Sequence, residues 1–184
     1  MREDRTAFEP EAFSAGVDGP TPQFVSSAAT EQDVAGCVTL AGLVADGTSE
    51  AWAALFRRDI DRSDRCLAVA RVGDELIAYG RTAWFEPDAG APANAAPAGY
   101  YLIGLVVAPS WRRRGVGAAI IQARLAWVAK RACEAWYFAN VANRASIQLH
   151  EQAGFTTVTT DFWFPSVTDG ESSHLLGRAQ LPRR

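Results

Sequence analysis

The sequence predicts an α/β (α+β) chain, and three observations carry that prediction. Residues Tyr100 to Val107 form a near-continuous apolar run, which reads as a strand buried on both faces. Pro109 stops that run because it lacks the N–H a ladder needs, and a basic, glycine-bearing turn leads on into a helix. Ile121, Leu125, Val128 and Ala132 fall on one side of this helix at helical spacing. Upstream, the runs Cys66 to Val72 and Glu75 to Phe85 flank Gly73-Asp74, a hairpin signal. Downstream, Asn143 as N-cap and Gly154 as C′ residue frame a short helix.

In chain order, residues 1–22 carry Pro10, Gly16, Gly19, Pro20 and Pro22 and read as a poorly ordered leader, with 23–184 as a single domain. Phe24 to Ala28 reads as a first strand. Thr30 and Asp33 make a weak capping box for a helix from about Glu31 to Val44, which buries Val34, Cys37, Val38 and Ala41. Ser49 caps a second helix to about Ile60, with Trp52, Leu55, Phe56 and Ile60 inward. On the second hairpin strand, alternation sends Ile77, Tyr79 and Arg81 one way and Leu76, Ala78 and Gly80 the other. Pro87 to Gly99 is an Ala/Pro/Gly loop of the length found in binding lids or mobile segments. Glu134 to Asn140 is the next strand. After the Asn143 helix, Thr156 to Phe164 is another, with Val158, Phe162 and Trp163 at buried or half-buried positions. Thr168-Asp169-Gly170 turns the chain into a last strand, His174 to Ala179, near the basic tail Arg183-Arg184.

Composition excludes several classes. A hydrophobic share of 48% supplies a sizeable core, and a net charge of −3 gives no bulk reason to bind nucleic acid or an anionic membrane. No stretch is long and apolar enough to span a bilayer, and Arg2, Glu3, Asp4 and Arg5 do not begin a secretory signal. Cys37, Cys66 and Cys133 form neither a disulfide framework nor a zinc pattern, and His150 and His174 are too few for a metal cluster. The expectation is a cytoplasmic protein with reduced thiols and no metal.

The turn Arg112-Arg113-Arg114-Gly115-Val116-Gly117-Ala118 is an anion site in outline. Its glycines admit oxygen atoms close to the backbone, and the first amides of the helix have no intrahelical partner. A Walker loop would need Lys and Ser or Thr where Ala118-Ala119 stand, and a Rossmann loop would need Gly or Ala at Ile120. A solvated basic turn is the plain alternative. What remains, Arg-x-x-Gly-x-Gly-Ala, resembles the pyrophosphate-binding motif of the GNAT superfamily of acyl-CoA-dependent N-acetyltransferases. The run Asn143 to Phe155 is similar to the second signature of that family, and Asn143, Ser146, Ile147 and His150 share one helix face. Its Asn-x-Ala-Ser-x-x-Leu-His-Glu pattern resembles the branch that includes phosphinothricin-type acetyltransferases. Together the two signatures span roughly residues 100–164.

The resemblance implies a GNAT fold: a mixed, largely antiparallel twisted sheet of about seven strands with helices on both faces. It also implies parallel strands that splay apart around the pyrophosphate helix, with acetyl-CoA as co-substrate in the gap. Backbone groups from about Arg113 to Ala118 would then hold the pyrophosphate, with support from Arg112, Arg113 and Arg114, while Gly115, Val116 and Gly117 shape the turn. Val106 and Val107 would pair with the pantetheine arm, and the amide near Leu105 would hold the thioester oxygen. Asn143 and Ser146 would face the same arm. His150 stands where many relatives carry a Tyr that protonates the leaving thiolate, and an ordinary pKa near 6.5 would suit that task; packing on a helix face is its plain alternative. Tyr79, Arg81, Trp84, Phe85, Tyr100 and Tyr101 are the candidate acceptor contacts. The family's strand acid has no counterpart here, which leaves Glu50, Glu86, Asp88, Asp161 or a water chain as base. The expected reaction is direct transfer in a ternary complex to a primary amine of a small molecule, such as an amino acid analogue or antibiotic. A protein N-terminal or lysine acetyltransferase, a non-catalytic acyl-CoA-binding module, and a homodimer are further expectations.

Overall fold

The computed structural model describes residues 23–165, 167 and 173–182. The leader expected over 1–22, the turn at 168–170 and the tail at 183–184 lie outside the described residues. The strands are β1 (Val25–Ala28), β2 (Arg65–Val72), β3 (Glu75–Phe85), β4 (Gly99–Val107), β5 (Glu134–Asn140), β6 (Thr156–Thr159) and β7 (His174–Gln180). The helices are α1 (Val34–Ala41), α2 (Ser49–Asp61), α3 (Val116–Ala129) and α4 (Arg144–Gln152). The strands form one sheet in the order β1-β2-β3-β4-β5-β7-β6. Every neighbouring pair is antiparallel except β4 and β5.

Two helical layers cover the sheet. On one face α1 and α2 close over Leu67, Val69, Tyr79 and Val106, with Phe56 fully buried between. On the other, α3 buries Val116 and Ile120 against Ala68, Ala70, Ile77 and Ala78, and Ile121, Leu125 and Val128 against Leu102 and Tyr137. The α4 residues Ile147 and Leu149 join that second cluster. A fourth cluster, Tyr101, Trp136, Phe164 and Leu176, seals the sheet beyond α1 and α2.

Local departures from the expected elements have local causes. The first helix opens with a 3₁₀ turn at Glu31–Asp33 and ends at Ala41 beside Gly42, three residues before Val44. Thr48 rather than Ser49 caps α2, its hydroxyl accepting from the Ala51 amide at 3.2 Å. A bulge between Ala70 and Arg71 inserts Ile77 into β3, so Leu76 joins the α1/α2 face with Tyr79 while Ile77 packs beside Ala78. The strand after α4 ends at Thr159, Val158 is 50% exposed, and Trp163 and Phe164 make only isolated bridges. The loop before β4 is tied down: Ala96 N–H donates to Trp163 O at 2.9 Å, and Asn94 Nδ2 to Asp161 at 2.7 Å.

Candidate functional site

Strands β4 and β5 are in register at only two pairs, Tyr101 with Trp136 and Leu102 with Tyr137. Beyond Leu102 they diverge, and the β5-facing edge of β4 from Ile103 to Val107 has no strand partner. Against β3, Gly80 pairs with Leu105 and Arg81 with Ile103, so Gly104 is the extra residue of a bulge. Its φ of 58° is a left-handed conformation that a glycine adopts without a Cβ penalty. The splay opens a cavity of about 790 Å³ that crosses the sheet between β4 and β5. Leu105, Val106 and Val107 line it from β4, Arg112, Arg113, Gly115, Gly117 and Ala118 from the turn, and Asn143, Ser146 and His150 from α4.

The turn leaves backbone amides pointing out of the start of α3. Pro109–Trp111 forms a 3₁₀ turn, then Arg113 (φ 60°) and Gly115 (φ 80°) take left-handed conformations that swing the chain into α3. The Ala119 amide donates to Gly115 O at 3.0 Å, which leaves the amides of Val116, Gly117 and Ala118 ahead of the helical ladder. A Cβ on Gly117 would lie 3.1 Å from Leu149 Cδ2 and 3.8 Å from Leu105 and Val107, so the missing side chain keeps the gap between α3 and α4 open. The three arginines differ in role. Arg112 Nε donates to Val107 O at 3.2 Å and holds the end of β4, and Arg114 stacks over Trp111 at 5.2 Å, outside the cavity. Arg113 faces the cavity. The Val116 side chain is core, 0% exposed, so only its backbone belongs to the turn.

Asn143 caps α4 through the Ser146 amide, at 3.1 Å. That cap aims the helix so that His150 is buried, its ring stacked on Tyr137 at 4.0 Å with planes 3° apart. Nδ1 is 2.8 Å from Ser146 O, a contact that assigns the ring proton to Nδ1 and leaves the Nε2 lone pair without a partner. Burial, with Arg124 adding to it, pulls the pKa down to about 4. At neutral pH the imidazole is uncharged, with no proton on Nε2 to give away. The expectation that His150 protonates the thiolate rests on an ordinary pKa near 6.5, which burial lowers here.

The expected acceptor contacts are not brought together, and none lines the cavity. Tyr79 packs edge-on against Phe56 at 5.0 Å under α1 and α2. Arg81 pairs with the buried Asp59. Trp84 and Tyr100 meet at 5.0 Å on the α3 side beside Trp127. Tyr101 and Phe85 lie on the opposite face against Phe164, with the Tyr101 hydroxyl donating to Pro97 O at 2.8 Å. Each of these aromatics makes ring contacts with its neighbours on the sheet. Nor does any of Glu50, Glu86, Asp88 or Asp161 reach the cavity, whose described lining carries Arg112, Arg113 and Arg124 and no carboxylate. Sequence reasoning missed Arg124, Phe138, Gln148, Gln152 and Val44 in that lining. For Arg124 a signal existed: it is a charge four residues from Ile120, inside the apolar stripe of α3.

The family model for the acetyltransferase (GNAT) family matches residues 43–155. The chain therefore belongs to the GNAT acetyltransferases, enzymes that draw the acetyl group from acetyl-CoA. Solved structures share the fold at low identity. One is a Salmonella typhimurium protein solved with its cofactor acetyl-CoA (TM-score 0.68, 15% identity, 88% of this chain and 95% of that one). Another is an aminoglycoside antibiotic 6'-N-acetyltransferase from Acinetobacter baumannii (0.64, 20%, 79% and 99%). A third is a ribosomal-protein-alanine N-acetyltransferase from Brucella melitensis (0.65, 17%, 85% and 99%). No curated protein matches the chain.

Proposed function

We propose that this chain acetylates the primary amine of a small molecule by direct attack in a ternary complex, with acetyl-CoA lying in the cavity between β4 and β5. The observation that carries this reading is the joining, in one cavity, of the free amides at the start of α3 and the unpaired edge of β4. In this reading the pyrophosphate rests on the amides of Val116, Gly117 and Ala118 with Arg113 alongside. The pantetheine amides add to the edge at Val106 and Val107 as a short extra strand. The thioester then reaches the bulge at Gly104, where the Leu105 amide supports the charge that develops on its oxygen.

Attack forms the N–C bond and breaks the C–S bond, and the amine proton ends on the thiolate. With no carboxylate in the described lining, that proton travels through water or directly from the ammonium formed on attack. His150 serves as an acceptor: its Nε2 lone pair orients an N–H of the amine or of the pantetheine arm. Positioning supplies most of the gain, since oriented reactions can be worth about 7–11 kcal/mol. Support for a small acceptor comes from the absence of acids in the described lining to hold a lysine-bearing peptide.

The test is thiol release from acetyl-CoA with a panel of amino acids, aminoglycosides, and peptides bearing a free N-terminus or lysine. Release with small amines is the expected result. Release with peptides alone would replace the reading by protein acetylation. Acetyl-CoA binding without transfer to any amine would leave a non-catalytic module.

A further inference from the structure

Arg124 lies in the middle of α3 and is 1% exposed, an unusual position for a guanidinium. It fits because β3 has no side chain beneath it: a Cβ at Gly80 would lie 2.9 Å from its Nε and 3.0 Å from its Cζ. One nitrogen, Nη1, donates to Arg81 O at 2.9 Å. Nε and Nη2 find no acceptor. These two belong to the same edge of the guanidinium plane, the fork whose spacing matches the two oxygens of a carboxylate. No described Asp or Glu pairs with it; Asp59, the buried acid of α2, is taken by Arg65 and Arg81. Burial pulls its pKa down to about 9, so the group is still charged at neutral pH. A buried charge without a counter-ion is costly, and an anionic ligand removes that cost.

Arg124 lines the same cavity as the turn, but at its far end. Arg124 stands eight residues beyond Val116, roughly 12 Å along the helix axis at 1.5 Å per residue. That separation takes it away from the pyrophosphate cradle and toward Leu102 and His150, where the strands begin to part. His150 Nε2, also buried and unpartnered, adds an acceptor there. The lining therefore includes both Arg124 and the neutral His150, and no described carboxylate there competes for the guanidinium.

We propose that Arg124 is a carboxylate-binding residue at the acyl end of the cavity, so that one of the two substrates carries a carboxylate at that point. It rests on the reading of the cavity as an acyl-CoA site. The carboxylate has two sources: the end of the acyl chain, as in malonyl- or succinyl-CoA, or the acceptor, as in an amino acid. Either would accept two charge-assisted hydrogen bonds from Nε and Nη2, in a place that excludes the water which weakens such bonds elsewhere.

Calorimetric titration of the full chain with CoA, acetyl-CoA, malonyl-CoA and succinyl-CoA tests the first source, with affinity for CoA as the internal reference. The expected result is binding of a dicarboxylic thioester about ten- to a hundredfold more tightly than acetyl-CoA. Arg124→Met should erase that difference, and Arg124→Lys, which keeps the charge without the fork, should retain only part of it. For the second source, thiol release from acetyl-CoA is compared between amino acids and their α-amides, with a preference of similar size for the acids and its loss in Arg124→Met. The wild-type comparisons stand without a folded variant. CoA bound by the wild type with neither preference overturns the carboxylate proposal alone, as does a preference that survives in folded Arg124→Met. Failure of CoA itself to bind overturns the acyl-CoA reading beneath it.

Discussion

The two halves of β4 have the same kind of sequence and opposite fates. From Gly99 to Leu102 the strand is paired with β3, and at Tyr101 and Leu102 with β5 as well, and its aromatics are used in packing: Tyr101 is 0% exposed between Phe85, Trp136 and Phe164. From Ile103 to Val107 the β5 side is open, Gly104 breaks the pleat, and the edge faces a cavity. A strand gains binding capacity where it loses a neighbour, because backbone groups freed from a ladder must find other partners. The closed half is what makes the open half affordable, since it pins β4 and β5 together just below the point where they part.

The largest expected effect lies in the closed half. Tyr101→Ala should cost about 3–5 kcal/mol of stability in denaturant unfolding, the range for removing a buried aromatic; a cost under about 1 kcal/mol would mean that the seal lies elsewhere. Next comes His150, on the wall of the open half. Its folded pKa of about 4 is below the usual 6.5, so as pH falls the unfolded chain binds the proton first. The stability that the neutral ring contributes is fully present above pH 6.5 and is lost between about pH 6.5 and 4, in all about 3 kcal/mol. Urea unfolding across that range should show this loss in the wild type and a shallower decline in His150→Phe. Equal slopes would show that His150 takes up its proton as readily folded as unfolded, and would remove the ground for its role as a neutral acceptor.

Gly117→Val should weaken acetyl-CoA binding by about tenfold or more, because the new methyls enter the gap that Leu149, Leu105 and Val107 border. Unchanged affinity in a folded variant would remove the cradle from the open half. The smallest effect is expected from Trp84→Ala. Trp84 is 38% exposed and packs on Tyr100 in the closed half, so the acceptor KM should move less than about threefold. A larger change would return the aromatics to the acceptor site.

Much of this plan was legible in the residues. The basic glycine turn, Pro109 and the Asn143 cap each act on their nearest neighbours, and local chemistry is what a sequence displays. The splay of β4 from β5 followed from the resemblance those turns carried. Long-range facts were not legible. Tyr79, Trp84 and Tyr101 stand together among the candidate acceptor contacts, yet the sheet sends them to different clusters. The charge of His150 depends on Tyr137, Phe155 and Arg124, none of which is near it on its own helix. The bulges at Ile77 and Gly104 slip the alternation by one residue, which no periodic pattern records.

The glycine beneath Arg124 also constrains how this chain can change over generations. A methyl group at position 80 would lie 2.5 Å from Ile120 Cγ2 as well as against the guanidinium. Alanine there would force Ile120 and the Arg124 guanidinium to shift. A descendant that gave up the Arg124 charge and then filled position 80 would find the way back closed, since the guanidinium could no longer lie flat on the sheet. The bare backbone at Gly80 is thus a condition for the Arg124 guanidinium to lie on the sheet.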